Sequence, residues 1–227
     1  MATHGLLTGT TNTHIHYLSE NKGIHQGIIT PWLRLVDAAQ TAGFQLSIAS
    51  GFRDFDRQLN IWNRKMTGEL PVFDLQQQQI NLTTLTTEEK VHAIMTFSAL
   101  PGASRHHWGT DVDIYDPSQL NNGQQLLLEE WEYQGNGPFA KLTKWLNENA
   151  QHYGFYFPYQ CYQGGVAHEP WHLSYAPLST QFLTELTPEI LASTLHKHEI
   201  EGKAFILDQI EQLMERYVYN VQEVTNG

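Results

Sequence analysis

Ser104-Arg105-His106-His107-Trp108-Gly109-Thr110-Asp111-Val112-Asp113 is the stretch on which the fold turns, and Glu169-Pro170-Trp171-His172 is its complement further along the chain. The first supplies an imidazole and then a carboxylate; the second supplies a carboxylate and then an imidazole. Three N/O ligands with an open fourth position describe a catalytic zinc site, and a carboxylate left beside them describes the base that activates a metal-bound water. After Gly109 the run Thr110-Asp111-Val112-Asp113-Ile114-Tyr115 alternates strictly, the pattern of a half-buried strand. Val112 and Ile114 take one face; Asp111, Asp113 and Tyr115 take the other. Two carboxylates on one face repel each other unless a cation lies between or beside them. A turn at Gly109 folds His106 back towards them. A solvent-facing polar strand with a surface histidine is the bland alternative.

The second stretch narrows the choice. Pro170 forces Glu169 into an extended conformation and removes a backbone donor, which excludes a helical HExxH site. Trp171, Leu173 and Tyr175 then share one face of a strand and His172 takes the opposite face. Glu169 hangs over the end where His172 emerges.

Ser104-x-His106-x-x-Gly109-x-x-x-Asp113 followed by Glu169-x-Trp171-His172 resembles the signature of the zinc D-alanyl-D-alanine carboxypeptidases, the VanY-type branch of the LAS (M15) metallopeptidases, relatives of Hedgehog N-terminal domains. Upstream, Ser50-Gly51-Phe52-Arg53-Asp54-x-x-x-Gln58 resembles the family's SGYRS-type segment. The three motifs keep the family's order within residues 28–177 and are far more specific together than singly. The resemblance implies that His106, Asp113 and His172 bind zinc and that Glu169 is the general base. It implies that Arg53 holds the substrate's carbonyl or carboxylate and supports the oxyanion, with Ser104 and Gln58 in the substrate site. Asp111 stands where the family has a small residue, often alanine. From the residues alone Asp111 competes with Asp113, and His107 with His106; the motif spacing selects Asp113 and His106. That leaves Asp111 to orient a ligand histidine or to pair with Arg53.

Composition sets outer bounds. The 227 residues carry a formal charge of −11, with 41% hydrophobic and 16% charged residues, as in globular proteins. That charge argues against nucleic acid and anionic membrane surfaces as partners. The single cysteine, Cys161, makes no internal disulfide. No stretch reaches membrane-spanning length. The amino terminus lacks a basic region followed by an apolar run, so the chain as written is expected to be cytoplasmic, or periplasmic if a leader precedes it.

Along the chain, residues 1–27 read as polar loop, with His14 and His16 as surface histidines. Thr30 and Pro31 open a helix with Trp32, Leu35, Val36 and Ala39 inward. Phe44–Ala49 alternates as a strand that delivers Ser50–Arg53, and Asp54 caps a helix to about Thr67. Residues 68–85 are expected as an insertion over the cleft. Thr86-x-x-Glu89 is a capping box for a helix to about Ala99. Residues 117–136 are loop-rich, a helix runs from Gly137-Pro138 to about Tyr153, and Phe155–Phe157 is a short strand. Helices near 187–197 and 199–219 follow, the second with Ile206, Ile210, Leu213 and Tyr217 on one face.

The expected architecture is therefore α+β, the Hedgehog/DD-peptidase fold by resemblance. A small antiparallel sheet carries Asp113 and His172 on neighbouring strands, with helices packed on it. Residues 1–177 form the catalytic domain and 178–227 a helical extension packed on it, carrying no catalytic residue. The expected state is a monomer, with a dimer through those helices as the alternative. The implied function is zinc-dependent removal of a terminal D-alanine from peptidoglycan stem peptides or muropeptides. L,D-carboxypeptidase and endopeptidase specificities are alternatives on the same site, and a non-catalytic zinc-stabilised binding module is the alternative class. Glu169 separates the last from the rest, since a binding module needs no base beside its metal.

Overall fold

The computed structural model describes residues 1–19, 22–121 and 123–223, so parts of the expected loops (20, 21 and 122) and the end of the expected extension (224–227) lie outside the described residues. Where a loop was expected near the amino terminus, the chain forms a short helix α1 (His4–Thr8) and a two-stranded antiparallel ribbon of β1 (Ile15–Tyr17) and β2 (Gly23–His25). Elements this short have no periodicity to read. They are held from outside: Phe52 N–H donates to Gly23 O (2.7 Å), His25 N–H to Gly109 O (2.8 Å) and Phe55 N–H to Gly9 O (2.9 Å). Trp108 Nε1 donates to Leu7 O (3.0 Å), with its ring wholly buried.

Helix α2 (Ile29–Thr41) starts ahead of the expected cap at Thr30, because it continues a 3-10 turn over Gln26–Ile28. Trp32, Leu35 and Ala39 face inward as the sequence predicts. Strand β3 is Ser47–Ser50, later than the alternation at 44–49 suggests. The incoming residues are spent on the helix exit: Phe44 N–H donates to Ala39 O and Gln45 N–H to Asp116 Oδ2 (3.1 Å). Asp54 caps α3 (Phe55–Met66) through Arg57 N–H at 2.8 Å, a contact of the kind worth about 1 kcal/mol. Thr86 and Glu89 form the predicted capping box of α4 (Thr87–Met95), which ends a turn earlier than expected.

Strand β4 (Asp111–Tyr115) is followed, past α5 (Ala140–Asn149), by β5 (Phe155–Tyr156) and β6 (His172–Tyr175). The sheet order is β3-β4-β6-β5, antiparallel throughout. Val112, Ile114 and Leu173 are fully buried on one face, in a cluster with Trp32 and Leu35 of α2 and Leu142 and Leu146 of α5. The alternation that buries those side chains puts Asp111, Asp113, His172 and Ser174 on the other face.

Helix α6 (Ala176–Glu185) occupies a stretch in which no helix was expected. It follows β6 directly, with Pro177 in its first turn, where a missing N–H costs nothing. After α7 (Pro188–Leu195), the single helix expected over 199–219 is broken into α8 (Lys203–Asp208), α9 (Ile210–Met214) and a π-helical turn (Glu215–Tyr219). Its apolar stripe is nevertheless used: Ile206, Ile210, Leu213 and Tyr217 are buried in a cluster with Phe55, Trp62 and Trp108. Among the described residues no helix is long and apolar enough to cross a membrane.

Candidate metal centre and active site

Asp113 and His172 are directly opposed in the β4–β6 register, which brings a carboxylate and an imidazole from distant parts of the chain side by side. His106 comes from the 3-10 turn Arg105–Trp108, whose last residue is followed by Gly109 at φ +68°, the left-handed conformation that folds the turn back onto β4. One ligand-capable atom from each of His106, Asp113 and His172 lies within 4.8 Å of the others, and all three side chains are buried.

The neighbours of each imidazole decide which nitrogen is offered. His106 Nδ1 bonds to the backbone carbonyl of Gly51 at 3.0 Å, leaving Nε2 to face Asp113 at 3.5 Å. His172 Nε2 bonds to Asp111 Oδ1 at 3.0 Å, leaving Nδ1 to face Asp113 (3.6 Å) and Glu169 Oε2 (3.2 Å). Asp111 is fully buried and also accepts from Arg105 Nε at 2.7 Å and from Thr110 Oγ1 at 2.7 Å. Arg105 in turn donates to Ser174 Oγ (2.8 Å) and Tyr156 Oη (3.1 Å). Burial alone would raise the Asp111 carboxyl, but the Arg105 charge and the His172 and Thr110 contacts hold it well below the usual carboxylate range. Burial likewise opposes charge on His172, yet the bonds to Asp111 and Glu169 and the charges of Asp111 and Asp113 push it up to about 9.

These features fit a cation. Asp113 Oδ1 is buried with no hydrogen-bond partner. A buried carboxylate oxygen is left unpaired only at considerable cost, and a metal ion held by His106, Asp113 and His172 removes it.

The site opens on a cleft of about 320 Å³ lined by Arg53, Ser104, Glu169 and the three clustered residues. Arg53 sits on the strand-to-helix junction after β3. Its backbone is clipped to the His106 turn on both sides, N–H donating to His106 O (3.2 Å) and O accepting from His107 Nδ1 (2.6 Å). Its guanidinium donates to Gln58 Oε1 at 2.8 Å and Ser50 Oγ at 3.4 Å. Burial, partly offset by the charges of Asp113 and Glu169, pulls its pKa down.

The structure corrects or settles several expectations. Gln58 was expected in the substrate site; instead it is fully buried and does not line the cleft, its Oε1 accepting from Arg53 and its Nε2 donating to Ala99 O (2.7 Å). Asp111 pairs with Arg105 rather than Arg53. His107 is wholly buried, donating to Arg53 O and accepting from Gly102 N–H (3.0 Å), and lies outside the cluster. His168, next to Glu169 in the chain, contacts Glu130 Oε1 at 2.7 Å. Phe73 and Gln77 of the 68–85 insertion do line the cleft. Arg105, Tyr217 and Val218 also line the cleft, although the sequence points to none of them as a site residue. Arg105 carries a signal only through Asp111, whose buried charge needs a partner; Tyr217 and Val218 carry none, since only tertiary packing brings them there.

A carboxylate and an imidazole on a small antiparallel sheet, a second imidazole from the adjoining turn, and a further carboxylate and an arginine in the same cleft make a site that could hold a metal ion and that fits the hydrolase class. The comparisons place the chain more closely: it belongs to the VanY family, D-alanyl-D-alanine carboxypeptidase, whose profile matches residues 21–178. An uncharacterised protein of Haemophilus influenzae is 41% identical over 125 residues, covering 54% of this chain and 95% of that one. The structure of VanYB in complex with D-alanine-D-alanine is similar at a TM-score of 0.52 and 24% identity, over 82% of this chain and 89% of that one. The D,D-pentapeptidase VanY from a VanB-type resistance cassette, in complex with Zn(II), is similar at a TM-score of 0.51 and 24% identity, over 80% and 92% of the two chains. The fold is therefore that of the VanY-type peptidases, the α+β architecture the sequence motifs imply.

Proposed function

We propose that this protein is a zinc-dependent carboxypeptidase that removes the terminal D-alanine from peptidoglycan stem peptides ending in D-alanyl-D-alanine. The observation that carries the reading is the convergence of His106, Asp113 and His172 within 4.8 Å, with Glu169 Oε2 3.2 Å from His172 Nδ1 on the same cleft wall. Family membership supplies the substrate class, and the Zn(II) and D-alanine-D-alanine complexes of two fold neighbours support the metal and the dipeptide.

His106 Nε2, Asp113 and His172 Nδ1 would hold the zinc, a donor set of the catalytic type. When bound, zinc supplies a Lewis acid for the scissile carbonyl and brings the pKa of water towards about 7. The protein's own groups do the rest. Glu169 accepts the proton of the attacking water and returns it to the leaving amine of D-alanine. Arg53, fixed by Gln58 and by its backbone clips, meets the substrate's carbonyl or carboxylate; a typical oxyanion donor contributes about 3 kcal/mol. Ser104, which also lines the cleft, is the group assigned to the terminal carboxylate. In a chain of formal charge −11 the Arg53 guanidinium is what admits an anionic peptide end to the cleft.

The test is peptidase activity of the purified protein on stem peptides ending in D-Ala-D-Ala and in L-Lys-D-Ala or mDAP-D-Ala. Activity is read before chelation, after it and after zinc restoration, with the released amino acid identified by mass. Zinc-dependent release of D-alanine from the D-Ala-D-Ala peptides is expected. Release only from the tetrapeptides would move the specificity to L,D-cleavage. Bound zinc with no turnover on any stem peptide would overturn the reading.

A further inference from the structure

The loop that carries Glu169 runs from Pro158, and its two ends are tied together by Glu169 N–H donating to Tyr159 O at 3.0 Å. Its middle is gripped by a segment far outside the residues that match the family. Arg216 Nε donates to Gly164 O at 2.7 Å, Asn220 Nδ2 to Gln163 O at 2.9 Å, and Gln222 N–H to Pro158 O at 2.8 Å. The two backbones touch at Gly165, where an added Cβ would lie 2.1 Å from Arg216 O, so only glycine fits.

The gripping segment is the π-helical turn Glu215–Tyr219 and the residues after it. Such turns are rare and recur at functional sites. Here it turns two successive side chains, Tyr217 and Val218, inward: they are 5% and 4% exposed, and both line the cleft beside Met95 and Val166. Tyr217 is locked there by its hydroxyl, 2.9 Å from His92 Nδ1 of α4, and Tyr219 Oη is anchored on Leu186 O at 2.7 Å.

We infer that residues 215–222 are a working part of the active site: a clasp that fixes the Pro158–Glu169 loop, and hence the carboxylate of Glu169, while Val218 forms a wall of the substrate cleft. Arg216 and Asn220 act as positioning residues, since they bond the loop through its backbone carbonyls and neither lines the cleft. The catalytic half of the inference rests on the function proposed above; the clasp itself does not.

The test pairs steady-state kinetics on the stem peptide that the wild type cleaves with amide hydrogen exchange and zinc content. In the double variant Arg216→Ala/Asn220→Ala, exchange across residues 160–168 speeds up at least tenfold and kcat falls about tenfold, while KM and bound zinc hold. Arg216→Lys, which keeps a donor, recovers most of kcat. Gly165→Ala, which forces the two backbones apart, reproduces the double variant if it folds. Val218→Phe raises KM about tenfold with kcat held within about twofold. Unchanged exchange in the double variant overturns the clasp. Faster exchange with wild-type kcat overturns its role in positioning Glu169, and an unchanged KM in Val218→Phe overturns the wall. A wild type that cleaves no stem peptide overturns the proposed function, and the clasp is then decided by exchange alone.

Discussion

Asp111 Oδ1 lies 3.0 Å from His172 Nε2, and Arg105 Nε holds the same oxygen from the other side at 2.7 Å. All of this is buried, and this one oxygen is shared between two fixed neighbours. The result is that His172 presents Nδ1, and only Nδ1, to Asp113 and Glu169. A carboxylate behind a ligand histidine fixes the ring's orientation and strengthens it as a donor, and removing such a partner typically weakens metal binding about 10- to 100-fold.

Asp111→Asn is accordingly expected to lower zinc affinity by about tenfold or more, measured by competition with a chelating dye. It also leaves Arg105 without its counter-charge, so the folded state loses stability as well. Wild-type affinity in this variant would show that His172 is oriented by the strand alone.

Glu169→Ala removes the group assigned to proton transfer while leaving all three ligand residues in place. It should bind zinc as the wild type does and lose about 10²- to 10⁴-fold in kcat on the stem peptide. A variant that keeps its zinc and its full activity would sink the proposed mechanism.

Much of this site can be read from sequence because its geometry is local. The alternation around Val112 and Ile114 fixes which face Asp113 occupies, Gly109 allows the left-handed turn that returns His106, and Pro170 keeps Glu169 extended before β6. Neighbouring strands do the rest, since Asp113 and His172 need only pair in register. What escaped depends on packing between distant segments. The ribbon of Ile15–Tyr17 and Gly23–His25 is too short to show a period, and its anchors are distant in sequence: His25 N–H donates to Gly109 O and Phe52 N–H to Gly23 O. Gln58 looks like a ligand-binding amide at motif spacing; only its burial against Ala99 O shows that it serves Arg53. Tyr217 lies on an ordinary amphipathic stripe until the π-helical turn aims it at the cleft.

Gln58→Leu keeps the volume under Arg53 and removes both polar ends. Arg53 is then left with Ser50 Oγ at 3.4 Å as its side-chain partner, and Ala99 O loses its donor. The expected loss in kcat/KM is about tenfold, smaller than the 10²- to 10³-fold expected for Arg53→Ala if Arg53 acts as an oxyanion donor. The double variant should be no worse than Arg53→Ala alone, because Gln58 acts through the arginine. Additive losses would instead give Gln58 a contact of its own.

His25 gives a prediction for pH and stability. Burial, reinforced by the charge of neighbouring His14, lowers its pKa to about 4, against about 6.5 in an unfolded chain. Its Nδ1 accepts from Gly27 N–H at 2.9 Å, and its ring lies tilted against that of His14, centroids 5.5 Å apart, whose pKa burial also lowers. Between pH 6.5 and about 4 the unfolded chain therefore binds a proton at His25 that the folded chain does not, and stability falls as pH falls across that window. His25→Asn keeps a side-chain acceptor for Gly27 and removes the titration. Urea midpoints measured from pH 8 to 4 should fall less steeply below about pH 6.5 for the variant than for the wild type, with the two curves parallel above pH 7. Equal slopes below pH 6.5 would mean that His25 is protonated in the folded protein as readily as in the unfolded chain.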